Sequence, residues 1–214
     1  MVKRSVTITL EKAIEWYNSD DESLKDLVLQ AFSKEELMHN FMDITTFKKA
    51  CDALDYNYDD IVSKVNSIAE ISRAFAAMFK LGCIRKALNL GQNLRLTKCT
   101  VDSYIYYPLN PFVTESSIYY KNEIDSGRME VIGKIKSEGK VYNVIGNAAG
   151  GSCVGLGSFN PHEGVAFSFA NIGFLGCASE DIARHFGKYF GMLITEAKYA
   201  DMIDFKIIEE KYKI

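Results

Sequence analysis

Proline is scarce in this chain, three in 214 residues, and there is no low-complexity stretch and no internal repeat. That composition excludes a disordered linker and a solenoid array. No apolar run approaches the roughly 18 residues of a membrane-spanning helix. Lys and Arg number 25 against 28 Asp and Glu, a net charge of -3, so the electrostatic footprint of a general nucleic-acid binder is missing. Five cysteines, Cys51, Cys83, Cys99, Cys153 and Cys177, stand singly with no CxxC pair. An odd, scattered set argues against a disulfide framework and against a zinc site. The start, MVKRSVTITLEKAIEW, lacks the apolar core of a secretory signal. The expected compartment is therefore a reducing cytoplasm, with the thiols free.

What is present is an ordinary folding alphabet. The hydrophobic fraction is 48%, with twelve tyrosines and thirteen phenylalanines, and a chain of this size buries about 70% of its unfolded surface. After the short alternation SVTITL, the segment from Leu10 to Leu37 reads as helices broken at NSDD, with Ser33 and Glu36 forming a capping box. Thr45 or Thr46 caps FKKACDALD. The longest helical signal runs from Asp59 to Gly91, where Ile61, Val65, Ile68, Phe75, Met78 and Phe79 share one face and Gly82 is expected to bend the helix.

From Arg95 the apolar period changes from helical to alternating. CTVDSYIYYPL, SSIYYKNE, MEVIGKIKSEG, KVYNVIG and GVAFSFANIGF are β-branched and aromatic runs separated by proline and glycine, which predicts an antiparallel meander with a hairpin at SEG. A long helix follows, capped by Ser179, in which Ala183, Gly187 and Gly191 form a stripe almost without side chains. Each helical glycine costs about 1 kcal/mol relative to alanine, so the stripe predicts close approach to the sheet. DFKIIEEKYKI is expected to add an edge strand. The predicted class is α+β: a helical region over 1–91, then, over 92–214, an antiparallel β-sheet with one long C-terminal helix packed on it, the two regions able to form one unit.

Candidate sites are few. The stretch from Gly146 to Phe169 holds six glycines but lacks the lysine and spacing of a phosphate loop and the helix that must follow a dinucleotide fingerprint. Its first reading is bulges and tight turns. Its second is a loop of exposed amides, with Gly150, Gly151, Ser152, Asn160 and His162 as ligand contacts. A cysteine nucleophile needs a base and an orienting group, for which Cys153 with His162, or Cys177 with His185 and Asn171, are the available sets. His39, His162 and His185 stand too far apart for a ligand pattern, and the acidic pairs fall at helix starts, where the dipole explains them. Tyr104, Tyr106 and Tyr119 are the candidate interaction surface, since tyrosine on a sheet offers area and a hydrogen bond at low entropic cost.

The motifs ITLEKAIEWYNSDDESLKDLVLQAFSKEEL, LGCIRKALN and GFLGCASEDIARHFGKYFGMLITEAKYAD resemble a family of uncharacterised proteins of gut Bacteroidales and their tailed phages. The resemblance implies a phage or mobile-element protein made in a bacterial cytoplasm, with virion association as a further destination, and carries no site residue. The expected function is that of a non-enzymatic, phage-associated interaction or structural protein without cofactor, metal or catalytic residue. Its expected partner is another protein or a second copy, not nucleic acid in general and not a membrane. Two alternatives stay open: a counter-defence protein that binds a nucleotide signal, and a cysteine hydrolase.

Overall fold

The chain is described by a computed structural model over residues 7–37, 40–90, 105–108, 110, 112–114, 116–148, 156–159, 175–202 and 204–213. The N-terminal part forms α1 (Leu10–Tyr17), α2 (Glu22–Leu29), α3 (Lys34–Leu37), a 3-10 turn (Phe41–Asp43), α4 (Phe47–Ala53), α5 (Tyr58–Ala69) and α6 (Arg73–Leu88). Side-chain caps set these boundaries. Asp21 accepts from the Ser23 amide at 2.9 Å, Thr46 from Lys49 at 3.3 Å and Asn57 from Asp60 at 3.1 Å. Thr7 to Thr9, the described end of the SVTITL alternation, form no strand.

The single long helix expected from Asp59 onward is two helices. The apolar period runs through the break, but Ser72 accepts from the Phe75 amide at 3.1 Å and starts α6 afresh. Gly82 does not interrupt α6, and a Cβ there would meet nothing within 4 Å.

The strands are β1 (Ile105–Pro108), β2 (Phe112–Thr114), β3 (Met129–Ser137), β4 (Lys140–Ala148), β5 (Leu156–Phe159) and β6 (Lys206–Glu210). They form a four-stranded antiparallel sheet in the order β2-β4-β3-β6 and a separate antiparallel pair, β1-β5. The SEG turn is the expected hairpin. Ser137 pairs with Lys140, and Glu138 and Gly139 both take positive φ, 51° and 76°, as a two-residue turn matched to strand twist requires. SSIYYKNE is not a strand. It is α7 (Ile118–Asp125), ended by Gly127 at φ 75°. The Arg128 amide donates to Glu123 at 3.0 Å and Gly127 to Ile124 at 2.9 Å, which is a left-handed helix cap. The glycine that reads as a spacer between strands is a helix stop. GVAFSFANIGF lies outside the described residues.

The last helix, α8 (Glu180–Tyr199), joins everything. Ile182, Ala183, Phe186, Phe190, Leu193, Ile194 and Ala197 fill a core with α4, α5 and α6, while Met192 faces Ile132, Ile135 and Val144 of the sheet. Asn89, after α6, fastens this helical core at its end. Its amide nitrogen donates to Gly176 O at 3.2 Å, and its oxygen accepts from the Ala178 amide at 2.8 Å.

The small-residue stripe behaves as expected. A Cβ at Gly191 would overlap Ile132 Cδ1 and lie 2.5 Å from Asn110 Nδ2, and one at Gly187 would lie 2.9 Å from Pro108 Cβ. Gly191→Ala is therefore expected to destabilise the fold by about 1–3 kcal/mol through overpacking. Gly82→Ala, in open space, should stabilise it by about 0.5–1 kcal/mol. Urea unfolding of dilute protein measures both; equal effects would mean that α8 does not touch the sheet.

Candidate interaction surface

Helix α6 carries apolar residues on every side: Ala76, Ala77, Leu81, Ile84, Ala87 and Leu88 are buried, and its two phenylalanines point outward. A helix hydrophobic all round is normally enclosed. Here Phe75 is 62% exposed and Phe79 37%, and Ile71, just ahead of the Ser72 cap, is 86% exposed. Phe75 and Phe79, four apart, lie on one side of α6, and Ile71 precedes the helix.

A polar frame fixes this corner. Asp201, just beyond α8, accepts from the Ser72 hydroxyl and, at 3.4 Å, from the Ala74 amide. Arg73 pairs with Glu196 at 2.7 Å. The Asp201 contacts bring Met202, itself 61% exposed, to the N-terminal end of α6. The result is an aromatic-aliphatic centre with a charged rim, the anatomy of a protein interface.

The apolar period of the sequence puts Phe75 and Phe79 on the buried face, and the structure turns them outward. The signal that separates them is Ser72: once a cap restarts the helix, the alanine, leucine and isoleucine positions make the inward stripe and the phenylalanines fall opposite.

At the other end of α6, Ile8, Leu10, Phe32, Leu54, Tyr56 and Lys86 line a cleft of about 450 Å³. Lys86 Nζ donates to the Tyr56 hydroxyl at 3.3 Å and lies 5.6 Å over its ring. The cleft offers an apolar wall and a cation, with Thr9 and Asp55 also in its lining.

A third cluster surrounds Glu130 of β3. Lys211 Nζ donates to its carboxylate at 2.6 Å, the Tyr212 hydroxyl donates to the same oxygen, and Lys188 lies 3.5 Å away. Burial alone would raise the Glu130 pKa. The hydrogen bonds from Lys211 and Tyr212 and the Lys188 charge outweigh it and hold the carboxyl below its ordinary range. Tyr212, by burial and by donating to Glu130, is pushed up to about 12. These contacts latch the C-terminal segment to the sheet.

Of the residues the sequence nominates, Gly150, Gly151, Ser152, Asn160, His162 and Tyr104 lie outside the described residues, as do Cys153, Asn171 and His39. Tyr106 is half-buried in β1, packed against the helical core and bridged to Cys177 by backbone bonds of 2.8 and 3.2 Å. Tyr119 belongs to α7, so the structure does not bring it onto a strand with Tyr106. Cys177 is fully buried, its thiol donating to Leu175 O at 3.2 Å, and burial pushes its pKa up to about 12 against the nearby Arg85 charge. Burial, with Cys83 and Asp52, likewise takes Cys51 to about 11. Neither is a thiolate at neutral pH. His185, the partner considered for Cys177, instead places Nε2 2.7 Å from Ile44 O, and its ring lies 4.6 Å from that of Tyr189 at a tilt of 44°. Among the described residues no group of three or more His, Cys, Asp or Glu is arranged to hold a metal, and no helix is long and apolar enough to cross a membrane.

No family model matches the chain, and no curated protein or solved structure matches it.

Two outcomes follow from the buried groups. Alkylation of the native protein near neutral pH should reach Cys83, which is half-buried, well before Cys51 or Cys177. Peptide mass spectrometry reads the order, and rapid labelling of Cys177 would contradict its burial.

Stability should fall with acid in two stages. Burial holds His185 below its ordinary pKa. The unfolded chain then takes the proton first, and stability that is full above about pH 6.5 declines as the pH drops toward the folded value. Glu130, depressed in the folded state, adds stability that is full above about pH 4.3 and is lost as the pH falls through its folded pKa. Urea midpoints against pH should lose the upper limb in His185→Leu and the lower limb in Glu130→Gln.

Proposed function

We propose that this protein is a non-catalytic interaction module whose contact surface is the outer side of α6, with Met202 at its N-terminal end. One observation carries the reading: Phe75 and Phe79 stand in solvent one turn apart on a helix whose other sides fill the core, with exposed Ile71 just ahead of its cap. Contiguous exposed apolar surface of this kind marks association sites, and a rigid aromatic inside a charged rim is the usual energetic anchor. The protonated, buried state of Cys51 and Cys177 favours the same reading over thiol catalysis. The resemblance of the terminal motifs to Bacteroidales phage proteins suggests the setting: a module assembled into a particle, or one that acts on a host component.

The test is a photo-crosslinking residue at position 75, compared with position 118 on α7, where Ile118 is 78% exposed but stands apart from α6. Expressed in its host, the protein should give discrete adducts from position 75 and none from 118. Once the adduct partner is known, Phe75→Ala should weaken its binding by about 2 kcal/mol, roughly 30-fold. No adduct at 75, or adducts at both positions alike, overturns the proposal.

A further inference from the structure

Two contacts fix the register of α4 against α6. At the start of α4, Lys80 Nζ of α6 lies 5.7 Å over the ring of Phe47. Past the end of α4, Lys86 Nζ of α6 donates to the Tyr56 hydroxyl at 3.3 Å, and the Tyr56 amide folds back to Cys51 O at 2.9 Å. The two helices therefore run in the same direction along this seam, and its middle belongs to Cys51 on α4 and Cys83 on α6.

Helical geometry sharpens the placement. Lys80 and Lys86, three residues before and three after Cys83, lie about 60° to either side of it, so Cys83 centres the strip that faces α4. Cys51, one turn on from Phe47, is fully buried on the same face of α4, and Cys83 packs against the same core. The two sulfurs are close enough for charge on Cys83 to raise the Cys51 pKa. Arg85, about 200° around the helix from Cys83, is the α6 residue whose charge reaches Cys177. Cys177 thus belongs to the other side of α6, where its thiol donates to Leu175 O.

Reach follows from packing. Axes of helices in contact lie about 8–10 Å apart and each Cα about 2.3 Å from its axis, which leaves facing Cα atoms on the order of 5 Å apart. A disulfide spans about 4.4–6.8 Å between Cα atoms. Ala50 beside Cys51 and Ala87 one turn after Cys83 are small and fully buried, which keeps the seam narrow.

We infer that Cys51 and Cys83 are a reversible redox pair, which hydrogen peroxide joins by a disulfide between α4 and α6. The inference concerns the inner side of α6 and does not depend on the exposed Phe75 and Phe79. Cys83 is the entry point, half-buried where Cys51 is enclosed. Burial raises its pKa, and the Lys86 charge offsets part of that rise. The Cys83 thiolate attacks one oxygen of the peroxide, the O–O bond breaks, and Cys83 becomes a sulfenic acid as hydroxide leaves. The Cys51 sulfur then attacks the Cys83 sulfur, the S–O bond breaks, and the departing hydroxyl takes the Cys51 proton as water. Two thiols and one hydrogen peroxide become one disulfide and two waters. A bond made under oxidant and undone by thiols is of the redox-sensing kind.

The test is a small molar excess of hydrogen peroxide on the folded full chain, then blocking of the remaining thiols and tryptic mapping without reductant. The expected product is the peptide Ala50–Lys64 joined to Leu81–Arg85 within a single chain of 24.1 kDa, and dithiothreitol should separate the two. The same link should form when Cys99 and Cys153 are both changed to serine, which leaves the choice of partner to Cys51, Cys83 and Cys177. Cys51→Ser should leave Cys83 as a sulfenic acid that dimedone traps, and Cys83→Ser should leave Cys51 a free thiol. In urea the unaltered chain should give mixed pairings instead. A link from either cysteine to any other, Cys83 carried on to sulfinic acid with Cys51 still reduced, or a folded chain no more selective than the unfolded one overturns the inference.

Discussion

The side-chain amide of Asn110 donates to two backbone carbonyls at once, Ile145 O of β4 at 2.9 Å and Gly187 O of α8 at 3.1 Å. One amide can span a strand and a helix only where the two backbones nearly touch, and they nearly touch because α8 has no side chain at 187 or 191. The sheet meets the helix halfway. A Cβ at Gly146 would overlap Ile132, and one at Gly133 would lie 2.5 Å from both Glu209 O and Met192 Sδ. Four glycines thus remove the material that would hold the layers apart. The roughly 1 kcal/mol that each helical glycine costs is offset by tight packing of Ile132 and Met192 and by hydrogen bonds that satisfy two carbonyls. With that seat fixed, the opposite side of α8 presents Phe186 and Phe190 to the helical layer.

Much of this is legible in the amino-acid sequence alone, for physical reasons that can be named. The period change near residue 92, the caps at Thr46 and Ser179, the hairpin at Glu138 and Gly139 and the glycine stripe of α8 are all local devices, in which the residue type and its neighbours decide the outcome. What is not legible depends on distant partners. Nothing near Ser72 makes the apolar period stop, and it is Asp201, far along the chain, that holds the cap. Gly127 serves equally well after a helix or between strands, and Ile124, packing beneath the sheet with Val113, Met129 and Ile145, favours the helix. The strand order β2-β4-β3-β6 is set by which faces must be covered, which no alternation reveals. The exposure of Phe75 and Phe79 follows from the phase that the cap imposes, so periodicity by itself hides the candidate surface.

The two kinds of surface on this molecule are managed in opposite ways. Strand β6 is an edge, and it carries Lys206, Glu209 and Glu210, a bulge against β3 between Lys134 and Ile135, and the Glu130 latch at its end. Charge, irregularity and anchoring are the standard guards against strand-to-strand association. The α6 face has no such guard at its centre.

The double duty of α8 also sets a temporal order on the ribosome. Helices α4, α5 and α6 are translated early, yet the core they enclose lacks Phe186, Phe190, Leu193 and Ile194 until strands β1 to β5 have been made and α8 itself has followed. Domains usually fold from the N-terminus as they emerge. This one must keep its first helices waiting, with apolar faces uncovered, for a segment far downstream. The period of greatest exposure to chaperones and proteases therefore falls during synthesis, and a ribosome that stops short of residue 180 releases helices whose core is missing its centre.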